Sequence, residues 1–219
     1  MNFYRQSADG KTAQIYITGD ITAYPWPELG EASATSVLDQ IKGLDVEEIE
    51  VHLDSLGGSV KEAWGIYSAL KQHKAKVTAY ADGFVASAAL YPFLAGDERK
   101  ASPLSAFYLH EVMTGADGYA EDLRKAADEA EKMTDIGIRA FEAVGMDREQ
   151  VRKMMAEETW LDPDEAKSLG IVTEILEAKE GEPRQSLRRE IAARMRAEQK
   201  QHQQQEKKSL LQLCENIHF

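Results

Sequence analysis

Ser87 and His110 are the two residues whose types and positions could support nucleophilic catalysis. Ser87 lies among small residues in the segment GFVASAA, residues 83–89, between a predicted strand and a predicted helix. A serine nucleophile needs a general base, an acid that orients the base, and N–H donors for the developing oxyanion. His110 follows a predicted strand and could be that base. Serines at helix starts are commonly only caps, and lone histidines are commonly structural, so the residue types alone leave both interpretations open.

A pair of glycines, Gly57 and Gly58, ends an earlier predicted strand and precedes a helix. Such a pair can expose two peptide N–H groups, or it can simply form a turn. The segment lacks the lysine of a phosphate-binding loop, and the five histidines do not have the spacing of metal ligands. We therefore expect neither ATP hydrolysis nor a metal site, and no cofactor.

The elements that must position these residues alternate between strand and helix patterns. Alternating apolar residues predict strands, and apolar residues at helical spacing predict helices. The predicted strands are 14–19, 48–54, 76–81 and 106–109; the predicted helices are 34–41, one that begins at Ser59 with Glu62 at capping-box spacing, and 87–94 after a turn at Asp82 and Gly83. This alternation predicts an α/β fold with a mostly parallel sheet, covering helices, and a site at the carboxyl ends of the strands.

The second half of the chain is predicted to be mainly helical. Residues 120–144 have two apolar positions per heptad, which indicates either a seam against another helix or ordinary core packing. Asp147 and Asp162 have the pattern of N-caps of two further short helices. Beyond Ala178 the composition changes to a charged, Gln-rich segment, so we predict one domain at 1–178 and a helical or disordered extension at 179–219.

Composition restricts the possible classes of function. The chain has 219 residues, 43% of them hydrophobic, a formal net charge of −12 and one cysteine, Cys214. An acidic body is unsuited to nucleic-acid binding, and a single cysteine fits a reducing compartment. The sequence shows no apolar run long enough to span a membrane and no signal peptide, so we expect a cytoplasmic protein.

Four segments, taken in order, resemble the ClpP-like serine proteases. They are DSLGGSV at 54–60, GFVASAALYPFLAG at 83–96, FYLH at 107–110 and ETWLDPDEAKSLGIV at 158–172. The resemblance covers roughly residues 12–178, and within the family the chain looks most like the phage and prophage branch of head-maturation, or prohead, proteases. It implies a ClpP/crotonase-like fold in which the helix at 120–144 is a long interface helix through which rings pair.

The resemblance also implies the roles of individual residues. Ser87 would be the nucleophile, His110 the general base, and the N–H groups of Gly58 and Ala88 would form the oxyanion hole. The third member of the family's triad is usually an aspartate, and the matching position here is Glu158.

Glutamate in place of aspartate changes the reach of the acid, so Asp162 is a rival for the role of Glu158. Glu157 lies beside Glu158, and Asp162 is also near, although Asp162 already has a predicted role as an N-cap. A solvent-exposed surface charge is the structural alternative for Glu158.

The implied activity is that of an ATP-independent serine endopeptidase acting on capsid or scaffold protein, assembled as a homo-oligomeric ring or paired rings. Two alternatives stay open: a general ClpP-type peptidase subunit that works with an ATP-driven unfoldase, and a non-catalytic assembly component with the same fold. The sequence shows no obvious deep specificity pocket.

Overall fold

The structure is a computed structural model that describes residues 4–6 and 10–177. The predicted extension at 179–219 lies outside the described residues. The described strands are β1 (Tyr4–Gln6), β2 (Thr12–Ile17), β3 (Glu48–Ser55), β4 (Lys76–Ala86), β5 (Glu98–Ala101), β6 (Ala106–Leu109), β7 (Thr159–Leu161) and β8 (Glu174–Ile175). The α-helices are α1 (Ala34–Ile41), α2 (Val60–Gln72), α3 (Leu90–Leu94), α4 (Ala120–Glu142), α5 (Arg148–Ala156) and α6 (Pro163–Ser168), and 3-10 turns occur at Pro27–Leu29 and Ser87–Ala89.

The strands form one eight-stranded, mostly parallel sheet, as the sequence predicts. The main order is β1-β2-β3-β4-β5-β8, and β6 pairs with β4 on one side and with β7 on the other. Only β1–β2 and β6–β7 are antiparallel among the described strands. Strands β1, β5, β7 and β8 are absent from the sequence-based prediction, since two to four residues give little or no readable alternation and, unlike β6, none of these four is marked by a run of apolar and aromatic residues.

The predicted turn at Asp82 and Gly83 is wrong, because β4 continues through both residues. Leu53 pairs with Ala81 but Ser55 pairs with Val85, so a bulge of β4 lies opposite Asp54. A β-carbon on Gly83 would overlap the Asp54 Oδ1 atom, and the Phe84 N–H donates to the same oxygen at 2.9 Å. The glycine therefore marks a bulge that the Asp54 side chain fills rather than a chain reversal.

The helix starts agree with their predicted caps, with one exception. The Ser59 hydroxyl accepts the Glu62 N–H at the start of α2, as predicted. The Glu62 carboxylate does not complete a capping box, because the Ser59 N–H donates to the Ile21 carbonyl. Instead, buried Glu62 accepts the Ala34 N–H at 2.9 Å and so links the starts of α1 and α2. A carboxylate at a helix N-terminus is stabilised by the helix dipole.

The later caps also agree with the prediction. Asp147 accepts the Gln150 N–H at the start of α5 at 2.9 Å, and Asp162 accepts the Glu165 N–H at the start of α6 at 2.8 Å. Helix α3 is buried along its whole length and packs against β4, α2 and α4. The core thus reaches to within a few residues of Ser87.

Helix α4 has two parts with different environments. Gly137, Ile138 and Phe141 are buried in its second part, which packs on α3 and α5. From Ala120 to Met133 the helix has no buried side chain among the described residues, and Leu123 is 47% exposed. The heptad pattern therefore reflects ordinary core packing only in the second part of the helix. None of the described helices is long and apolar enough to cross a membrane.

Candidate active site

Ser87 and His110 lie at the adjacent carboxyl ends of two parallel strands. Ala86, the last residue of β4, pairs with Tyr108 of β6, so the residues that follow the two strands emerge side by side. The His110 Nε2 atom is 2.6 Å from the Ser87 Oγ atom, which is hydrogen-bonding distance. The structure thus brings together the two residues that the sequence proposes as nucleophile and base.

The backbone at Ser87 has an unusual conformation for a residue other than glycine. Its φ angle is +54°, in the left-handed region, at the first residue of the 3-10 turn. Left-handed backbone at a non-glycine residue is costly and is concentrated at functional sites. Here it turns the serine hydroxyl toward His110 at the point where the chain leaves the sheet.

Gly57 provides the space for that turn. Its φ angle is +99°, and a β-carbon there would lie 2.7 Å from the Ala86 carbonyl oxygen and 2.8 Å from the Ala88 nitrogen. These distances are too short for carbon against nitrogen or oxygen, so only glycine fits without displacing the nucleophile turn. The Gly57 backbone therefore lies directly against the backbone around Ser87.

Gly58 and Ala88 have N–H groups suited to the predicted oxyanion hole. The Gly57 carbonyl accepts the Ile21 N–H at 2.8 Å. Because the C=O and N–H of a trans peptide point in opposite directions, the Gly58 N–H points away from Ile21. The Ala88 N–H belongs to the first turn of a helical segment, where N–H groups have no partner within the helix. Gly58, Ala88 and Ser87 all line the same cleft.

The Nδ1 atom of His110 has a main-chain partner. It lies 2.5 Å from the Glu111 carbonyl oxygen. A carbonyl oxygen can only accept a hydrogen bond, so this contact assigns the proton of a neutral imidazole to Nδ1 and leaves Nε2 to accept from the Ser87 hydroxyl. This tautomer is the one that a general base at Ser87 requires.

Glu158, the predicted orienting acid, and its rival Asp162 have hydrogen-bond partners other than His110 in the described structure. The Glu158 Oε2 atom accepts a hydrogen bond from the Tyr108 hydroxyl at 3.2 Å rather than from His110. Glu157 is the C-cap residue of α5. Asp162 is occupied as the N-cap of α6, so the structure supports its structural role. The burial of the Tyr108 hydroxyl, the charge of Glu158 and their hydrogen bond raise the pKa of Tyr108.

A cleft of about 440 Å³ opens beside Ser87, although the sequence shows no obvious pocket. Its lining is mostly apolar and comes from the Gly57 loop and from α2, α3, β6, α5 and β7, with Leu56, Val60, Tyr91, Met113, Met155 and Trp160 among its residues. Most of these residues lie within the quoted motif segments, but residue type and spacing do not indicate that segments so far apart in sequence line one cleft. Apolar residues next to the predicted catalytic segments are the one signal that could have indicated some of them.

Tyr108 flanks the cleft without entering the sequence-based prediction. It stacks on Trp160 with ring centroids 4.5 Å apart and adjoins His110 at 5.4 Å. Residues of alternating position on β6 share one face, which would have indicated that Tyr108 and His110 are neighbours. Among the described residues, no group of three histidine, cysteine or acidic side chains could hold a metal ion.

A family model, the sequences of known proteins and a solved structure all relate this chain to one family. Residues 14–179 match the family model described as Clp protease. The chain is 31% identical to ATP-dependent Clp protease proteolytic subunit 3 of Rhizobium meliloti, over 76% of this chain and 84% of the relative. It is 29% identical to proteolytic subunit 2 of Borreliella burgdorferi, over 77% and 85%.

A solved structure agrees with these sequence matches. A point mutant of ClpP1 from Listeria monocytogenes has a TM-score of 0.63 and 29% identity, over 78% of this chain and 94% of that one. The predicted ClpP-like α/β fold is therefore confirmed. The chain belongs to the Clp protease family.

Proposed function

We propose that the chain is a serine endopeptidase with Ser87 as nucleophile and His110 as general base. The observation that carries the proposal is the 2.6 Å contact between the Ser87 Oγ and His110 Nε2 atoms, at the mouth of an apolar cleft. Family membership supports it, since the matched relatives are named proteolytic subunits. No step of the proposed reaction consumes a nucleotide.

In the first half of the reaction, the Ser87 Oγ attacks the peptide carbonyl carbon while its proton passes to His110 Nε2. The Gly58 and Ala88 N–H groups hold the negative oxygen of the tetrahedral intermediate. When the C–N bond breaks, His110 gives the proton to the leaving amine. In the second half, His110 takes a proton from water as the water oxygen attacks the acyl carbon, and it returns that proton to the Ser87 Oγ when the ester C–O bond breaks and the carboxylic acid leaves.

Glu158 is the proposed orienting acid, as the resemblance implies. A carboxylate beside Nδ1 would stabilise the positive charge that His110 gains during each step. The Glu111 carbonyl can orient the same ring but has no full negative charge to offset that of the imidazolium. The proposal therefore requires Glu158 to leave Tyr108 during the reaction.

A fluorophosphonate probe followed by mass spectrometry tests this chemistry directly. We expect the label on Ser87 in the native chain, and its loss in Ser87→Ala and in His110→Ala. Ser68→Ala, a change at an exposed serine of α2, is the matched control and should label like the native chain. Absence of label from the correctly assembled native protein would contradict the peptidase and favour a non-catalytic assembly component of the same fold.

We further propose a homo-oligomeric ring, or paired rings, that encloses the active sites and acts on polypeptides. The exposed first part of α4 supports this, as do the large exposed apolar side chains of Tyr24, Trp26 and Leu29, which are 87%, 67% and 60% exposed. Exposed apolar groups of this size are typical of protein interfaces. Native mass spectrometry of the full chain would give the number of subunits, and a monomer would contradict the ring.

Capsid or scaffold protein is the proposed natural substrate, on the basis of the resemblance to the phage branch, and the cytoplasm is the proposed location. Incubating the purified chain with phage capsid and scaffold proteins, without nucleotide, should give discrete fragments. The same incubation with Ser87→Ala is the control and should leave both proteins intact.

A second candidate is a peptidase subunit that works with an ATP-driven unfoldase. The names of the matched relatives, which are ATP-dependent Clp protease proteolytic subunits, favour it. The discriminating measurement is cleavage of an unfolded protein and of a folded protein, each with and without an unfoldase and ATP. Cleavage of the folded protein only in the presence of the unfoldase would favour this second candidate.

A further inference from the structure

The carboxylate of Glu158 accepts a hydrogen bond from the Tyr108 hydroxyl, and the Tyr108 ring in turn adjoins the His110 imidazole with ring centroids 5.4 Å apart. We propose that Tyr108 is a positioning residue whose hydroxyl holds Glu158 in a resting position, from which the carboxylate moves to the Nδ1–H of His110. The proposal rests on the proposed function, because it assumes that Glu158 is the orienting acid. It adds a residue that the family resemblance does not assign.

The strand register brings Glu158 and His110 to the same end of β6 and β7. In the antiparallel pair β6–β7, Tyr108 pairs with Trp160 and Leu109 pairs with Thr159. His110 directly follows Leu109, and Glu158 directly precedes Thr159, so both residues lie just beyond this last pair, at the same end of the two strands.

The Glu158 side chain nevertheless contacts Tyr108 in this structure. Glu158 has a φ angle of +51°, so its backbone departs from the extended conformation just before β7 begins. Its Oε2 atom is 3.2 Å from the Tyr108 hydroxyl. Tyr108 lies on β6 and His110 directly follows that strand, with the two ring centroids 5.4 Å apart, so the proposed exchange is a rotation of the Glu158 side chain from one ring to the other.

Each partner is already held in place for such an exchange. Stacking on Trp160, with a centroid distance of 4.5 Å and an interplanar angle of 24°, fixes the Tyr108 ring. The groups that contact the His110 ring are the Ser87 hydroxyl, the Glu111 carbonyl and the Tyr108 ring. While Glu158 is hydrogen-bonded to Tyr108, the Glu111 carbonyl accepts the hydrogen bond from the Nδ1–H of His110. This contact keeps the tautomer that a general base needs, but it places no negative charge beside the ring.

The proposal predicts that losing the Tyr108 hydroxyl activates the site. In Tyr108→Phe the ring and its stacking on Trp160 remain, but the resting hydrogen bond is gone. We expect fluorophosphonate labelling of Ser87 to become about fivefold faster, the factor that corresponds to one hydrogen bond of average net strength. The acid limb of the pH profile should move to higher pH, because a carboxylate beside His110 favours the protonated ring.

Glu158→Gln supplies the test of coupling. Alone it should slow labelling and move the acid limb to lower pH, and Tyr108→Phe should have no further effect in that background. Tyr80→Phe is the matched control, since the Tyr80 hydroxyl donates to Glu50 at 3.4 Å on another part of the sheet. It should leave both the rate and the pH profile unchanged.

The outcomes separate this proposal from the proposed function. Slower or unchanged labelling in Tyr108→Phe, or the same change in the Glu158→Gln background, would overturn the positioning role while Ser87 still labels. No labelling of native Ser87 would overturn both. Independently of catalysis, NMR titration of ring-labelled tyrosine should show the pKa of Tyr108 falling in Glu158→Gln, and an unchanged titration would overturn the resting contact.

Discussion

Replacing Gly57 with alanine should disable the nucleophile while leaving the fold intact. The new β-carbon would lie 2.7 Å from the Ala86 carbonyl oxygen, 2.8 Å from the Ala88 nitrogen and 2.9 Å from the Ser87 β-carbon. Ordinary contacts of this kind are about 3.5–4.0 Å, so the turn must shift by several tenths of an ångström or more. A misplacement of about 1 Å at reacting atoms can reduce a rate about 100-fold, so we expect labelling of Ser87 to slow by roughly 10- to 100-fold.

Gly145 provides a control with nearly the same backbone and no steric conflict. Its φ angle is +97°, against +99° for Gly57, and a β-carbon there would have no atom within 4 Å. Both substitutions should lower the free energy of unfolding by about 1–2 kcal/mol through left-handed strain, and Gly57→Ala should lower it by about 1–3 kcal/mol more through steric overlap. Only Gly57→Ala should lose labelling, as measured by the rate of fluorophosphonate reaction alongside urea denaturation. Equal labelling rates in the two variants would refute the argument that Gly57 makes room for the nucleophile turn.

Three further predictions concern stability. Glu62→Ala should lower the free energy of unfolding by about 1–3 kcal/mol in urea denaturation, because it leaves the Ala34 N–H without its acceptor; Glu62→Gln, which keeps an acceptor oxygen, should lose less. Hydrogen bonds from two lysine ammonium groups lower the pKa of Glu98, so its contribution to stability is present above about pH 4.5 and is lost as the pH falls through the lowered folded-state pKa. Glu98→Gln should therefore flatten the acid side of the pH–stability curve, and an unchanged curve would contradict this. Gly137→Ala would place a β-carbon in steric overlap with the Tyr91 hydroxyl and should destabilise by about 1–3 kcal/mol in urea denaturation, with partial recovery in the double variant with Tyr91→Phe.

The sequence predicts the bounds of a strand or helix well where the apolar residues of that element alone identify it. Alternation along β3 and helical spacing along α1 give bounds within one residue of those observed, since each depends only on which side of the element is buried. The adjacency of Ser87 and His110 also follows, because both residues come after parallel strands. These features depend on local periodicity and on the rule that sites of α/β sheets form at the carboxyl ends of the strands.

Features that depend on contacts distant in sequence could not be predicted. Asp82 and Gly83 have the composition of a turn, and only the position of the Asp54 side chain, some thirty residues earlier, makes them a bulge. The contact of Glu158 with Tyr108 likewise needs the register of β6 against β7, which spans about fifty residues. Neither residue type nor spacing contains that information.

The bulge opposite Asp54 divides the sheet into two leaves that share β3 and β4. Before it, Thr78–Ala81 of β4 pair with β5; after it, Phe84–Ala86 pair with β6. The spacing between nucleophile and base is therefore set by three residue pairs in the second leaf, while most of the parallel sheet lies in the first. Substitutions in the large leaf can change the stability of the protein and leave the geometry of the reacting groups as it is.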